Sequence, residues 1–312
     1  MVYRSAVVVI ALVSLAGKMV CGAAPIETKT DSSVDRVVVE MNGQPIAEYV
    51  WNDPIVRRPY WKSLRTTGGI QVTRNQPPIA GKDRDDHPTM HPGVWLAFGD
   101  LNGVDFWRNK GLVRHLEFVE KPNSSDGRHR CTVKNAWQDG DTVLAIETCR
   151  YSIKPESWGY QLGIDSTFVA GEKGLAFGDQ EEMGLGVRVA TPLAVMNGGE
   201  MIDSEGRKNG KEIWGKHADW CEYRGIVDGR NVGIVLVPHP QNFRRSWMHA
   251  RDYGVLVANP FGQKAFTKGE KSRIDVPAGQ KFRLRFGVLV YETKPDQKLD
   301  TAAAVKDYLQ GH

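Results

Sequence analysis

Hydrophobic positions along this chain repeat mostly with the period of a pleated strand. Residues 281–291 set Phe282, Leu284, Phe286, Val288 and Val290 against Arg283 and Arg285, an alternation that turns one apolar edge toward a core. Residues 37–40 and 46–51 flank Asn42-Gly43, a pair that tolerates the positive φ angles of a tight hairpin turn. Residues 115–120, 130–136 and 142–153 predict a meander joined by Ser/Asp/Gly turns. Residues 160–170, 184–190, 232–238 and 253–258 predict further strands. Only residues 300–310 suit an amphipathic helix, with Leu299, Ala302, Ala303 and Leu309 on one stripe and Gly311 closing it. Roughly ten strands and a short C-terminal helix predict an all-β chain, an antiparallel β-sandwich forming a single domain over residues 24–312.

Two segments break the alternation. Residues 74–93 are rich in Pro, Asp and His and follow neither period, and residues 238–251 carry Pro, His, Asn, Arg and Trp between two apolar strands. Long irregular loops inside a β scaffold are where binding and catalysis concentrate.

The first residues predict something else. Met1–Arg4 is a basic start, residues 6–16 are almost unbroken apolar, and Cys21-Gly22-Ala23-Ala24 offers small residues for cleavage. Residues 1–23 therefore predict a signal peptide and a periplasmic or extracellular mature protein. A lipidated Cys21 is the weaker reading, because Val20 stands where a small residue should precede it. Lys18 cuts the run short of the length that spans a bilayer, and no later segment reaches it. Lys and Arg number 41 against 37 Asp and Glu. That balance, without a basic cluster, gives no case for a nucleic-acid partner. Cys131, Cys149 and Cys221 match no zinc spacing. Cys131 and Cys149 are symmetric about Gly140, so a hairpin turning there would face them across adjacent strands, as a disulfide or as two buried thiols.

Chemistry concentrates in three clusters. Asp83-Arg84-Asp85-Asp86-His87-Pro88-Thr89-Met90-His91-Pro92-Gly93 leads into Trp95, Asp100, Asn102, Asp105 and Trp107. His87 and His91 stand four apart, but Pro88 and Pro92 exclude the helix that would aim both at one metal. A divalent metal at His87/His91 stays open, as does a loop that bonds only to itself. Asp179-Gln180-Glu181-Glu182-Met183-Gly184 places paired acids before an apolar strand, where a carboxylate can serve as a base or a metal ligand. In an extended chain Glu181 and Glu182 point to opposite faces, so one of them is expected at the site. The third cluster is His239, Asn242, Arg244, Trp247, His249, Arg251 and Asn259, with flat rings for sugar C–H faces and donors for hydroxyls. No nucleophile elbow, phosphate loop or dinucleotide fingerprint is present.

His87-Pro88-Thr89-Met90-His91-Pro92-Gly93-Val94-Trp95, Gly99-Asp100-Leu101-Asn102-Gly103-Val104-Asp105-Phe106-Trp107, Glu181-Glu182-Met183-Gly184-Leu185-Gly186 and Asn259-Pro260-Phe261-Gly262 resemble the PmoA-like family of uncharacterised secreted bacterial proteins. The resemblance covers about residues 35–292. Many relatives read His-Pro-His-His-Arg-Gly where this chain reads His87 to Gly93, so the middle histidine is lost here. The family's label, methane oxygenase, belongs to a membrane subunit with several spanning helices, which this chain has no segment to form. It is taken as a name and not an activity. More loosely, the histidine loop followed by a β-rich chain resembles the galactose-mutarotase-like sandwich, which implies a sugar ligand without fixing a reaction.

Together these features predict a carbohydrate-active protein, an enzyme of epimerase, lyase or hydrolase type working by His/carboxylate acid–base chemistry on a saccharide. His87, His91, Glu181, Glu182, His239 and His249 are the expected catalytic groups. Trp95, Asp100, Asn102, Asp105, Trp107, Asn242, Trp247, Arg251 and Asn259 are the expected substrate contacts. A non-catalytic glycan-binding module and a His-ligated metalloprotein are the alternatives.

Overall fold

Strand-forming alternation resolves into two large antiparallel sheets in the computed structural model, which describes residues 25–31 and 35–311. The expected signal segment lies outside those residues. One sheet has nine strands, in spatial order Ile26–Asp31, Arg36–Met41, Gln44–Val50, Tyr60–Lys62, Val94–Phe98, Met183–Arg188, Val255–Asn259, Trp247–Arg251 and Lys216–His217. The other has eight, Glu200–Asp203, Cys221–Val227, Arg230–Pro238, Lys281–Thr293, Gly159–Ala170, Thr142–Glu156, His129–Asp139 and Leu112–Asn123. Their facing sides share one core in which Tyr49 meets Tyr151 and Phe98 meets Trp137, each pair at 5.0 Å. This is the expected antiparallel sandwich.

The two outer faces are covered differently. Helix Thr301–Gly311 lies on the eight-stranded sheet, where Ala304, Val305 and Tyr308 pack with Val235, Val237, Leu289 and Tyr291. The Tyr308 ring occupies the space left by Gly287, and its hydroxyl donates to the Phe286 carbonyl at 2.7 Å. On the nine-stranded sheet a second cluster of Val50, Val56, Tyr60, Trp95, Ala97, Trp107, Val255 and Val257 carries the histidine loop.

Several expectations shift. Helix is not confined to the C-terminus, since Asn209–Ile213 and Gln263–Thr267 form short α-helices. Strand Val94–Phe98 was hidden in the functional stretch, because both its faces are buried and it shows no alternation. Strand Trp247–Arg251 likewise lies in the segment read as a loop. The hairpin after His129–Asp139 turns on Gly140-Asp141, and a register shift at Trp137/Gln138 then pairs Cys131 with Tyr151 and Val133 with Cys149. The two cysteines end as diagonal neighbours, about 7–8 Å apart and outside disulfide geometry. Cys131, Cys149 and Cys221 are free, buried thiols.

Candidate functional site

Four strands of the nine-stranded sheet build the floor. Registers Trp95–Gly186, Gly186–Val257 and Val257–His249 set these residues side by side on adjacent strands. Three interstrand spacings make the row about 14 Å long. Gly186 is needed there, since a Cβ would lie 2.5 Å from the Trp95 ring. Gly184 has φ +110°, and its Cβ would lie 2.1 Å from the Ala258 carbonyl oxygen. Along the row the Trp95 ring covers Gly186, and Val257 is buried in the same cluster.

The histidine loop forms one end. His87 takes φ 51°, and the backbone N–H groups of Met90 and His91 donate to its carbonyl. The loop carries no regular strand or helix of its own, and buried arginines supply its bonds. Arg74, 1% exposed, donates to the carbonyls of Arg84, Asp86, His87 and His91 at 2.6–3.3 Å. Arg58 donates to those of Phe106, Trp107 and Met90. Arg188 grips Asp86 in a two-pronged pair at 3.0 and 2.6 Å. Burial lowers Arg58 to about 9 and Arg74 to about 10.

The two histidines stack at 4.8 Å in different environments. The His87 side chain is 44% exposed, with Nδ1 2.9 Å from Asp86 Oδ2. Burial pushes the Asp86 carboxyl up, but hydrogen bonds from Arg188 and His87 outweigh it and hold it well below the usual range. His91 is 4% exposed, lies between His87 and the Trp95 ring, and leaves Nδ1 without a hydrogen bond. Burial, then the charges of Arg188, His87, Arg74 and Arg58, lowers His91 to about 2.

A second group stands at the other end. Arg251 donates to Glu181 Oε2 at 2.7 Å and to His249 Nε2 at 3.2 Å, and Glu181 Oε2 is 3.4 Å from His249 Nδ1. Burial, then Arg251, lowers His249 to about 3. Glu182 pairs with Arg108 at 3.1 Å, and Arg108 also meets Asp105 at 2.9 Å. Both glutamates therefore meet arginines of the site, where the extended-chain reading allowed one; residues 181–182 form a bend. Tyr253 joins the ends. Its ring lies 6.3 Å from His87 and under Arg188 at 4.9 Å. Burial raises its hydroxyl, while Arg188 and Arg251 oppose that and Asp86 and Glu182 add to it.

Other expected residues serve the frame. Trp95 and Trp107 are 1% exposed and pack on each other and on His91, and Trp247 is buried against His217 at 4.4 Å. These rings are walls and not open sugar platforms. Asp100 accepts from the Gly103 N–H, and Asn102 bonds the backbone of Gly174 and Ala176. Asn259 donates to the carbonyls of Gln180 and Glu181 and accepts from the N–H groups of Phe261 and Gly262. His239 accepts the Gln241 N–H, and Asn242 bonds the Arg285 backbone on the eight-stranded sheet. The structure does not bring His239 to His87. Sequence reasoning missed Arg58, Arg74, Arg188, Arg108 and Tyr253, and named Asp86 in the histidine cluster without a role. An arginine between Val187 and Val189 in an apolar strand was the available signal.

Asp86, His87 and His91 offer ligand atoms within 4.8 Å of one another. The donor set fits a cation poorly. The Asp86 carboxylate is already shared by Arg188, Arg84 at 2.8 Å and His87, and the guanidiniums around His91 repel further positive charge.

Residues 36–305 match the model of a family of unknown function, DUF6807, a description that assigns no activity, oxygenase or other. No curated protein matches the chain. Similar solved structures include a galactose 1-epimerase from Lactobacillus acidophilus (8% identity, 86% of this chain and 99% of that one, TM-score 0.40). A galactose mutarotase-like protein from Clostridium acetobutylicum aligns at 8% identity over 87% and 99%, TM-score 0.38. A heparan sulfate lyase from Pedobacter heparinus aligns at 8% identity over 88% of this chain and 36% of the lyase, TM-score 0.38. Among the described residues no helix is long and apolar enough to cross a membrane.

Proposed function

The chain belongs to the DUF6807 family of unknown function, and within it we propose a carbohydrate-active enzyme. In this reading a saccharide lies across the sheet face between His87 at one end and Glu181, His249 and Arg251 at the other. One observation carries it. Six exposed or half-buried groups, His87, Glu181, Glu182, Arg108, Arg251 and Tyr253, gather on one sheet face above the buried Trp95 and Val257. Interleaved carboxylates and guanidiniums supply the acceptors and donors that a hydroxyl-rich ligand requires, and Tyr253 supplies a half-open ring. Side chains that can move a proton stand among them, which favours turnover over binding alone. The leader-like residues 1–23 support an extracytoplasmic saccharide.

A panel of neutral and acidic oligosaccharides, screened by calorimetry and for product formation, tests the proposal. Arg251→Ala should weaken binding about tenfold, equivalent to about 1.4 kcal/mol. Absence of binding to every saccharide at millimolar concentration would refute it. Binding with no product from any of them would leave a glycan-binding module.

A further inference from the structure

We infer that His87 is the proton-transferring group of this site, and that Asp86, Arg188 and Arg74 are positioning residues that hold its ring in one tautomer. The substrate it serves rests on the saccharide reading, but the positioning stands on its own geometry.

Asp86 Oδ2 lies 2.9 Å from His87 Nδ1. That carboxylate also accepts two bonds from Arg188 and one from Arg84. A carboxylate in such company is ionised and can only accept, so the proton between Asp86 and His87 belongs to Nδ1. Neutral His87 is then the Nδ1–H tautomer, with the lone pair of Nε2 free for a ligand. Nothing in this chain of contacts is loose. Arg188 is 1% exposed and two-pronged, and Arg74 holds the carbonyls of both Asp86 and His87. His91 on one side, at 4.8 Å, and Tyr253 at 6.3 Å confine the ring. The groups facing His87 are thus Asp86, Arg84, Arg188, Arg74, His91 and Tyr253. His91 cannot share the task, because it is buried among guanidiniums and stays neutral.

The step is a simple proton transfer. A saccharide O–H breaks, its electron pair stays on oxygen, and an N–H bond forms at Nε2. The Asp86 carboxylate faces the resulting imidazolium, and the same nitrogen later returns the proton to product. Arg188 and Arg74 touch no substrate in this scheme.

Nitrogen-15 NMR of the imidazoles in the full chain, without ligand, reads the tautomer directly. The expected result is Nδ1–H for His87, changed to Nε2–H in Asp86→Ala, with His91 neutral throughout. Arg188→Lys keeps the charge, guards against a misfolded Asp86 variant, and should give a mixture of tautomers. With a turned-over saccharide, His87→Ala should lower kcat about 100-fold or more, and Arg188→Lys should lower kcat while KM changes less than about twofold. A wild-type Nε2–H tautomer, or a His87 signal unmoved in both variants, overturns the inference. So does equimolar zinc that shifts both histidines. If no saccharide is bound while the tautomer result holds, the substrate reading fails and the positioning survives.

Discussion

Two histidines four residues apart illustrate how burial divides roles among identical side chains. His91 sits beneath His87 against Trp95, so His91→Ala leaves a cavity and should destabilise the protein by about 2–4 kcal/mol. His87→Ala removes a half-exposed ring and should cost under about 1 kcal/mol while lowering kcat about 100-fold or more. Urea midpoints and single-turnover assays on the two variants check the pair. The same burial sets a pH dependence. His91, His249 and His129 fall to about 2, 3 and 4 in the fold, against about 6.5 in an unfolded chain. The unfolded state therefore takes up protons first. Their contribution is intact above pH 6.5 and is lost progressively as pH falls from there toward the folded values of about 4, 3 and 2. Denaturation midpoints that rise between pH 7 and pH 5 would contradict this. The sequence marks residues 83–107 as unusual, yet carries no measure of which ring in it faces water. Burial of Trp95 and Trp107 arises from packing with Val255 and Val257, far along the chain, and His91 is covered by stacking on that Trp95 ring.

At the scale of a strand, Met183–Arg188 does two jobs with alternate residues. Met183, Leu185 and Val187 face the core, while Gly184, Gly186 and Arg188 form the floor and the grip on Asp86. Gly186→Ala should push the Trp95 ring aside and, through it, His91; we predict a loss of about 1–3 kcal/mol and an altered Trp fluorescence spectrum. The hairpin His129–Asp139 with Thr142–Glu156 gives a second test. Cys131 and Cys149 should both be alkylated when protein purified from an oxidising compartment is denatured without reductant. Symmetry about Gly140 left a disulfide and two buried thiols both open. One residue of turn position and one bulge, neither visible in composition, moved the register by two.

Across the whole molecule, alternation told the architecture because each strand repeats its message over many residues, as 281–291 does. The site was less legible because it is assembled at long range. The Arg188–Asp86 pair joins residues 102 apart in sequence, and Arg251–Glu181 joins residues 70 apart. Only sheet registers decide that such partners meet. The outer faces also part company at this scale, one sealed by helix Thr301–Gly311 and the other left to a polar site. Tyr308→Ala should loosen that seal by about 3–4 kcal/mol. Its His87 resonances should match wild type, since the variant lies on the opposite sheet.

Arg74 has one more consequence, for proteases. The bond a trypsin-like enzyme would cut after Arg84 contains the carbonyl that Arg74 Nη1 holds at 3.0 Å. Although the Arg84 side chain is exposed, the peptide beside it cannot straighten into a protease cleft while that guanidinium keeps its four oxygens. Native protein should therefore survive trypsin at this position. Arg74→Lys, which offers a single ammonium where four carbonyls converge, should be nicked between Arg84 and Asp85 while the two sheets stay folded.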